Sequence, residues 1–329
     1  MHSQSWQIQF ANAIRSPAHL LEHVELGAEA LGYSENGIKQ FPVRVPVAFA
    51  DRMQRQNPND PLLRQVFPYL DEDIEDGRFT HDPLNEAASH VAPGLLHKYE
   101  DRVLNISTGA CAIHCRYCFR RHFPYQDSGF SHSDWQEKLG YIKSNNAIHE
   151  VILSGGDPLS LADSKLQEMF DQLNQINHIK RIRIHSRFPV VIPDRINKEL
   201  IKTLNRGKKE CIVVLHINHA NEINDAMIKA IKQMTSQGML VFNQSVLMKG
   251  INNSTETLIK LSEKLIENQI VPYYLHLLDP VSGTTHYEVG ETEAKKLIKE
   301  MKNRVSGYLV PKLVREIHGQ KSKISINFR

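Results

Sequence analysis

From about residue 100 to residue 280 the chain alternates between two hydrophobic periods. Short β-branched or apolar runs, "RVLNIS", "HEVILSGG", "IKRIRIHS", "CIVVLHIN", "LVFNQSVL" and "VPYYLHLLD", read as strands. Between them lie segments with the 3.6-residue period of a helix. In "SKLQEMFDQLNQI" Leu166, Met169, Phe170, Leu173 and Ile176 fall on one face. In "NDAMIKAIKQMTSQG" Met227, Ala230, Ile231 and Met234 do the same, with Gly238 as a C-terminal stop. "NSTETLIKLSEKLIEN" repeats the plan, with Asn253 and Glu256 in capping-box positions. Six successive βα units predict an α/β fold of parallel strands wrapped by helices. A partial TIM-type (βα)6 barrel is the expected architecture, with an open doubly wound sheet second.

Residues 1–98 read differently. "SPAHLLEHVELG" is helical, with Ser16 as cap, Pro17 in the first turn and Leu20, Leu21 and Val24 on one face. Proline-rich stretches follow, and "NPNDP" reads as a set of Asx turns. The expectation is a helical, loop-rich N-terminal extension over 1–98, packed on a core spanning 99–329.

The polar residues gather after the strands. The first strand leads into a cysteine loop, the second into "SGGDPL" (154–159) and the third into "HSR" (185–187). The fourth runs into His216 and "NHANE", the fifth carries Gln244, and the sixth ends at Asp279. Active sites of βα barrels form at the C-terminal strand ends, so this convergence predicts a site there.

Bulk properties narrow the class. The 329 residues carry a net charge of +3, which gives no sign of a nucleic-acid-binding face. No apolar run approaches a bilayer span, and the N-terminus lacks a signal-peptide layout. Four cysteines are no disulfide framework in a chain of this length. A cytoplasmic protein is expected.

Three of the four cysteines stand in "GACAIHCRYCFRRHFPY" as Cys111, Cys115 and Cys118, a C-x3-C-x2-C run. Thiolates are the soft ligands of iron–sulfur clusters, and three of them hold three irons of a [4Fe–4S] cube while leaving the fourth open. Zinc, the competing metal, needs a fourth ligand such as His114 or His122 and normally a second CxxC knuckle, which is missing. Cys211, inside "CIVVL", reads as a core residue.

The cysteine loop after the first barrel strand resembles the radical S-adenosylmethionine (SAM) superfamily. That resemblance implies SAM chelated at the open iron and cleaved to a 5′-deoxyadenosyl radical. "SGGDPL" is similar to the superfamily's glycine-containing SAM contact, which implicates Ser154, Gly155, Gly156 and Asp157. The stretches "DRVLNISTGACAIHCRYCFRR", "SGGDPL", "NQSVLMKGIN", "PYYLHLLD" and "SGYLVP" resemble the lysine 2,3-aminomutase family, from about residue 40 to the end. Within it, "FPVRVP", "NPNDPL", "PGLLHKYEDRVL" and "HCRYCFRRHFPY" look most like the branch that makes β-lysine for modifying translation elongation factor P.

The family uses pyridoxal 5′-phosphate (PLP), whose resting Schiff base needs a lysine. The resemblance places it at Lys323, with Lys321 as rival, because the family's glycine-rich run is reduced to Gly319. It also implies Arg102 near the PLP phosphate, Arg120 as clamp on the substrate carboxylate, and His216 and Gln244 around SAM. Arg116 and Arg121 read as solvated or supporting charges. Asp279 and Glu316 match the family's two acids that hold the substrate ammonium, although Glu316 stands where the family has aspartate. Two acids complement lysine and repel glutamate. The expected activity is conversion of L-lysine to β-lysine, with a cellular one-electron reductant and a link to elongation factor P and its lysyl ligase. The alternatives are an aminomutase for another amino acid and a non-catalytic iron–sulfur or zinc module.

Overall fold

The computed structural model of the chain describes residues 5–27 and 30–326. One sheet organises it, built from β1 (His90–Ala92), β2 (Leu95–Tyr99), β3 (Arg102–Thr108), β4 (Glu150–Gly155) and β5 (Arg181–Ser186), then β6 (Glu210–His216), β7 (Leu240–Val246), β8 (Val271–His276), β9 (Lys312–Arg315) and β10 (Ile324–Ser325). Spatial order equals chain order from β1 to β10. β3 to β9 are parallel, while β1–β2–β3 at one edge and β9–β10 at the other pair antiparallel. The sheet is therefore an open barrel. The six predicted strands are all present, and β9 adds a seventh parallel one. Its "KLVR" is too short and too charged at both ends to show the pattern. β1 and β2 belong to the sheet although the sequence leaves residues 90–98 in the extension.

Each crossover helix buries the face that its period marks. Asp163–Asn174 buries Leu166, Met169, Phe170 and Leu173, each worth roughly 2 kcal/mol when removed from water. Asp225–Thr235 buries Met227, Ala230, Ile231 and Met234. Thr255–Glu267 is capped one residue later than expected. The Ser254 hydroxyl accepts from Thr257 N (3.2 Å), whereas Asn253 Oδ1 accepts from Gly250 N (2.8 Å) and closes the preceding turn. Cys211 is buried in the core, as expected.

The N-terminal segment packs on the same core: Leu20, Leu62 and Phe67 share an apolar cluster with Val151, Ile182 and Val213. Pro17–His23 is helical, and Asp60 Oδ1 accepts from Leu62 N and Leu63 N in the expected Asx geometry. Thr80 pairs with the stretch after β8, its N–H donating to Pro280 O (2.9 Å) and its carbonyl accepting from Ser282 N (3.0 Å). This segment thus lies against the C-terminal mouth of the barrel.

Candidate active site

The loop after β3 carries Cys111, Cys115 and Cys118, all with free thiols. They are close enough for charge on one to bear on another: burial, then the Cys115 thiol, pushes Cys118 up to about 11. Burial and Asp157 push Cys111 well above the usual thiol range. Cys115 Sγ accepts from Arg187 Nη1 (2.6 Å). Each histidine proposed as a zinc ligand has one ring nitrogen on a backbone carbonyl and its ring stacked on another. His114 bonds to Pro42 O through Nδ1 (2.7 Å) and stacks on Phe41, and His122 bonds to Ser282 O and stacks on His81.

The "SGGD" turn closes β4 against the base of this loop. Gly155 has φ 111°, and a Cβ there would lie 2.8 Å from Thr108 O. A Cβ on Gly156 would lie 2.5 Å from Ala110 O. The glycines thus let two backbones touch, with Gly156 N donating to Thr108 O and Asp157 N to Ala110 O. Asp157 is fully engaged: Ser186 Oγ and Leu159 N donate to Oδ1, and Arg187 N and Phe188 N to Oδ2. Burial nonetheless pushes its carboxyl up to about 6. Its carboxylate orders the strand ends of β4 and β5 rather than pointing to open space.

Inside the barrel, β5, β6, β7 and β8 aim His185, His216, Gln244 and His276 at one region. Gln244 Nε2 bonds to His216 Nε2 and reaches His185 Nδ1 (3.5 Å). Burial, followed by nearby cations, pushes His216 down to about 3 and the other two well below the ordinary imidazole range. Burial thus favours the neutral imidazole at all three. The Nε2 atoms of His185 and His276 are buried without a hydrogen-bond partner, so polar capacity is left over for a ligand.

Lys323 enters this space from the C-terminal segment, just before β10. Its charge acts on His185, His216, His276 and Asp279, and its Nζ donates to Glu316 Oε2 (2.5 Å). Lys321 is exposed. Glu316 Oε1 accepts from Lys98 Nζ (2.8 Å) and Tyr99 OH (2.9 Å). Burial raises its pKa, but Lys323 and Lys98 outweigh that and hold it well below the usual carboxylate range. Asp279 behaves oppositely. Burial, then the charge of Glu316, pushes it up to about 7, and its carboxylate receives no hydrogen bond among the described residues. Arg102 pairs with Asp101 (2.6 Å) and lies 4.0 Å over the Tyr99 ring, lining a small pocket with Lys98, Tyr99, Glu86 and Glu316. Arg120 is buried. Its Nε and Nη2 hold Glu86 bidentately (2.7 and 2.6 Å), and its Nη1 reaches Ser154 Oγ (3.3 Å).

These side chains come from every parallel strand end. Residues 105–262 match the model of the radical SAM superfamily. The chain is 44% identical to an L-lysine 2,3-aminomutase of Escherichia coli (strain K12) over 99% of its own length and 95% of that protein's. The chain belongs to the L-lysine 2,3-aminomutase family. It is 42% identical to the L-lysine 2,3-aminomutase of Haemophilus influenzae over 97% of this chain and 95% of that one. Among solved structures, Streptococcus suis SuiB bound to S-adenosylmethionine shares the fold at TM-score 0.50 and 19% identity, covering 68% of this chain and 52% of that chain. No helix among the described residues of this aminomutase-family chain is long and apolar enough to cross a membrane.

Several residues of the site carry no local signal in the sequence. In this aminomutase-family chain Glu86 comes from the N-terminal segment, 34 residues from Arg120. Glu222 and Gln65 meet at the Arg187 guanidinium from 35 and 122 residues away. Arg116 and Arg121 are not solvated. Both are buried on Glu72, with Arg116 Nε to Oε1 and Arg121 Nη2 to Oε2 at 2.6 Å each, pinning the extension under the cysteine loop.

Proposed function

We infer that this chain is a radical isomerase that converts L-lysine to β-lysine. The observation that carries this reading is the meeting, at one barrel mouth, of three thiols, Lys323, and two acids, of which Asp279 has no hydrogen-bond partner among the described residues. The net reaction moves the amine from C2 to C3 and a hydrogen from C3 to C2, so atoms and electrons balance within the substrate.

The residues fit the groups that such chemistry needs. Cys111, Cys115 and Cys118 form a soft thiolate set for a [4Fe–4S] cluster. His216, Gln244 and the Ser154–Gly155–Gly156 turn border the space for SAM, with Asp157 ordering that turn. Lys323 would hold PLP, and Lys98 and Arg102 supply cations at the lined pocket for its phosphate. When bound, the cluster and PLP supply one-electron cleavage of SAM and delocalisation for the migrating amine.

The chain's own residues select and hold the substrate. A lysine carboxylate is met by the Nη1 end of Arg120, the end that Glu86 does not occupy. Its side-chain ammonium lies between Asp279 and Glu316, where a second carboxylate would be repelled. The neutral imidazoles of His185, His216 and His276 give the interior polar lining without added positive charge. The described segment before β1 serves as an extension over a core that begins at β1, and the Thr80–Ser282 pairing helps to keep water from the mouth. The motifs shared with the elongation factor P branch support a role in supplying β-lysine to its lysyl ligase, with a cytoplasmic one-electron reductant.

The test is an anaerobic assay of reconstituted protein with SAM, PLP, dithionite and L-lysine, read by mass spectrometry. β-Lysine and 5′-deoxyadenosine together, both lost on Cys115→Ala, are the expected result. Deoxyadenosine without β-lysine would overturn the substrate. Neither product, from protein that holds its cluster, would overturn the reaction.

A further inference from the structure

Arg187 is held through its backbone N–H and both terminal nitrogens, while its Nε is buried without a partner among the described residues. Its backbone N–H donates to Asp157 Oδ2 (2.7 Å), and its guanidinium lies over the Phe49 and Tyr117 rings at 5.3 and 5.8 Å. Nη2 donates to Gln65 Oε1 (2.7 Å) and Glu222 Oε2 (2.8 Å). Nη1 donates to Tyr117 OH (2.9 Å) and to Cys115 Sγ. The partners are fixed in turn. The side chain of Glu222 is wholly buried, and its Oε1 accepts from Asn218 N (2.8 Å), His219 N (3.0 Å) and Gln65 Nε2 (3.1 Å). Asn218 Nδ2 closes the ring onto Tyr117 OH (2.6 Å). Among the described residues, Cys115 is the one cysteine of the three that accepts a side-chain N–H; Arg44 acts on Cys111 through charge alone.

This arrangement spends a buried cation, a buried acid and two amides on a single sulfur. Nothing in the fold requires that, since an apolar side chain of similar volume would pack beside Phe49 at no desolvation cost. The sulfur is also a ligand in the proposed cluster, where hydrogen bonds and nearby charge tune the metal's electron affinity. We propose that Arg187, set by Glu222 and Gln65, is a positioning residue that tunes the reduction potential of the cluster through Cys115. An N–H donor and a positive charge at a thiolate ligand stabilise the reduced, more negative cluster. Glu222 opposes part of that charge, so the pair sets the potential by difference. The proposal rests on the cluster reading above.

The experiment is a redox titration of the reconstituted full chain, followed by electron paramagnetic resonance. Arg187→Gln should move the midpoint to a more negative potential. At the wild-type midpoint its reduced-to-oxidised ratio should fall by about tenfold, 59 mV for a one-electron couple. Glu222→Gln should move the midpoint the other way, because the guanidinium loses its counter-charge. Arg187→Lys, which keeps charge and one donor, should stay between wild type and Arg187→Gln. It is also the variant to read if Arg187→Gln does not hold its cluster. A merely structural role predicts altered cluster content without opposite shifts. Midpoints of Arg187→Lys and Glu222→Gln that both coincide with wild type would overturn the proposal. Wild-type protein that takes up no iron would instead overturn the cluster reading itself, and this one with it.

Discussion

Glu72 and Asp279 are both acids beside the barrel mouth, and their surroundings are opposite. Glu72 is wholly buried with both oxygens occupied by the guanidinium groups of Arg116 and Arg121. Among the described residues Asp279 receives no hydrogen bond; it faces Glu316 and is pushed up to about 7. The first cluster is closed: every charge is answered within the chain, and what it achieves is fixing the extension under the cysteine loop. The second is open, with an acid held at a cost that an arriving ammonium would relieve. A satisfied ion cluster marks architecture, and an unsatisfied one marks where a ligand goes.

The sharpest way to break this contrast is at Lys323, the cation of the open cluster. Lys323→Ala should abolish β-lysine formation in the anaerobic assay, while Lys321→Ala, at an exposed position, should leave it within about twofold. Next is the closed cluster. Glu72→Gln leaves two buried guanidinium groups short of a counter-charge and should cost about 3–5 kcal/mol of stability in urea denaturation. The KM for lysine of the protein that remains folded should not change.

Asp279→Asn should do the reverse. Losing one side of an ammonium–carboxylate contact should raise the KM for lysine roughly 10²-fold, about 2–3 kcal/mol. Its effect on stability has a definite sign with pH. The folded pKa near 7 lies above the ordinary 3.8, so between these values the folded state binds more protons than the unfolded one. Stability therefore falls as pH rises through that window. Asp279→Asn should lack this slope in denaturation series run from about pH 4 to about pH 7. The smallest effect is expected for Glu316→Asp, which keeps the charge and shortens the arm. Its pairs with Lys98 and Lys323 should lengthen, with a severalfold rise in the KM for lysine.

The same contrast separates what was legible in the sequence from what was not. Strands β3 to β8, the helices Asp163–Asn174, Asp225–Thr235 and Thr255–Glu267 and the cysteine loop are written in local periodicity and spacing, whereas His132–Ser144 and Lys198–Leu204 were not read. Asp279 was marked by its place at a strand end, but Lys323 and Glu316 were reached only through family resemblance, because nothing around a tail lysine marks it as paired with an acid. The partners of Arg120, Arg116 and Arg187 were not readable: Glu86, Glu72 and Glu222 are brought to them by the fold from 34, 44 and 35 residues away. Adjacent cap formers explain why the cap of Thr255–Glu267 falls on Ser254 rather than Asn253. The two glycines of "SGGD" were reached only through resemblance to a SAM contact, and each also brings its backbone against that of Thr108–Ala110.

The most direct test of the open acid pair is the pH dependence of kcat/KM for L-lysine, compared between wild type and Asp279→Asn. Cation binding needs an ionised Asp279. Wild-type kcat/KM should therefore rise by up to about tenfold per unit below pH 7 and level off above it, while the variant is lower and lacks this rise. Profiles of the same shape and height would contradict the account, because the substrate ammonium would then be held elsewhere.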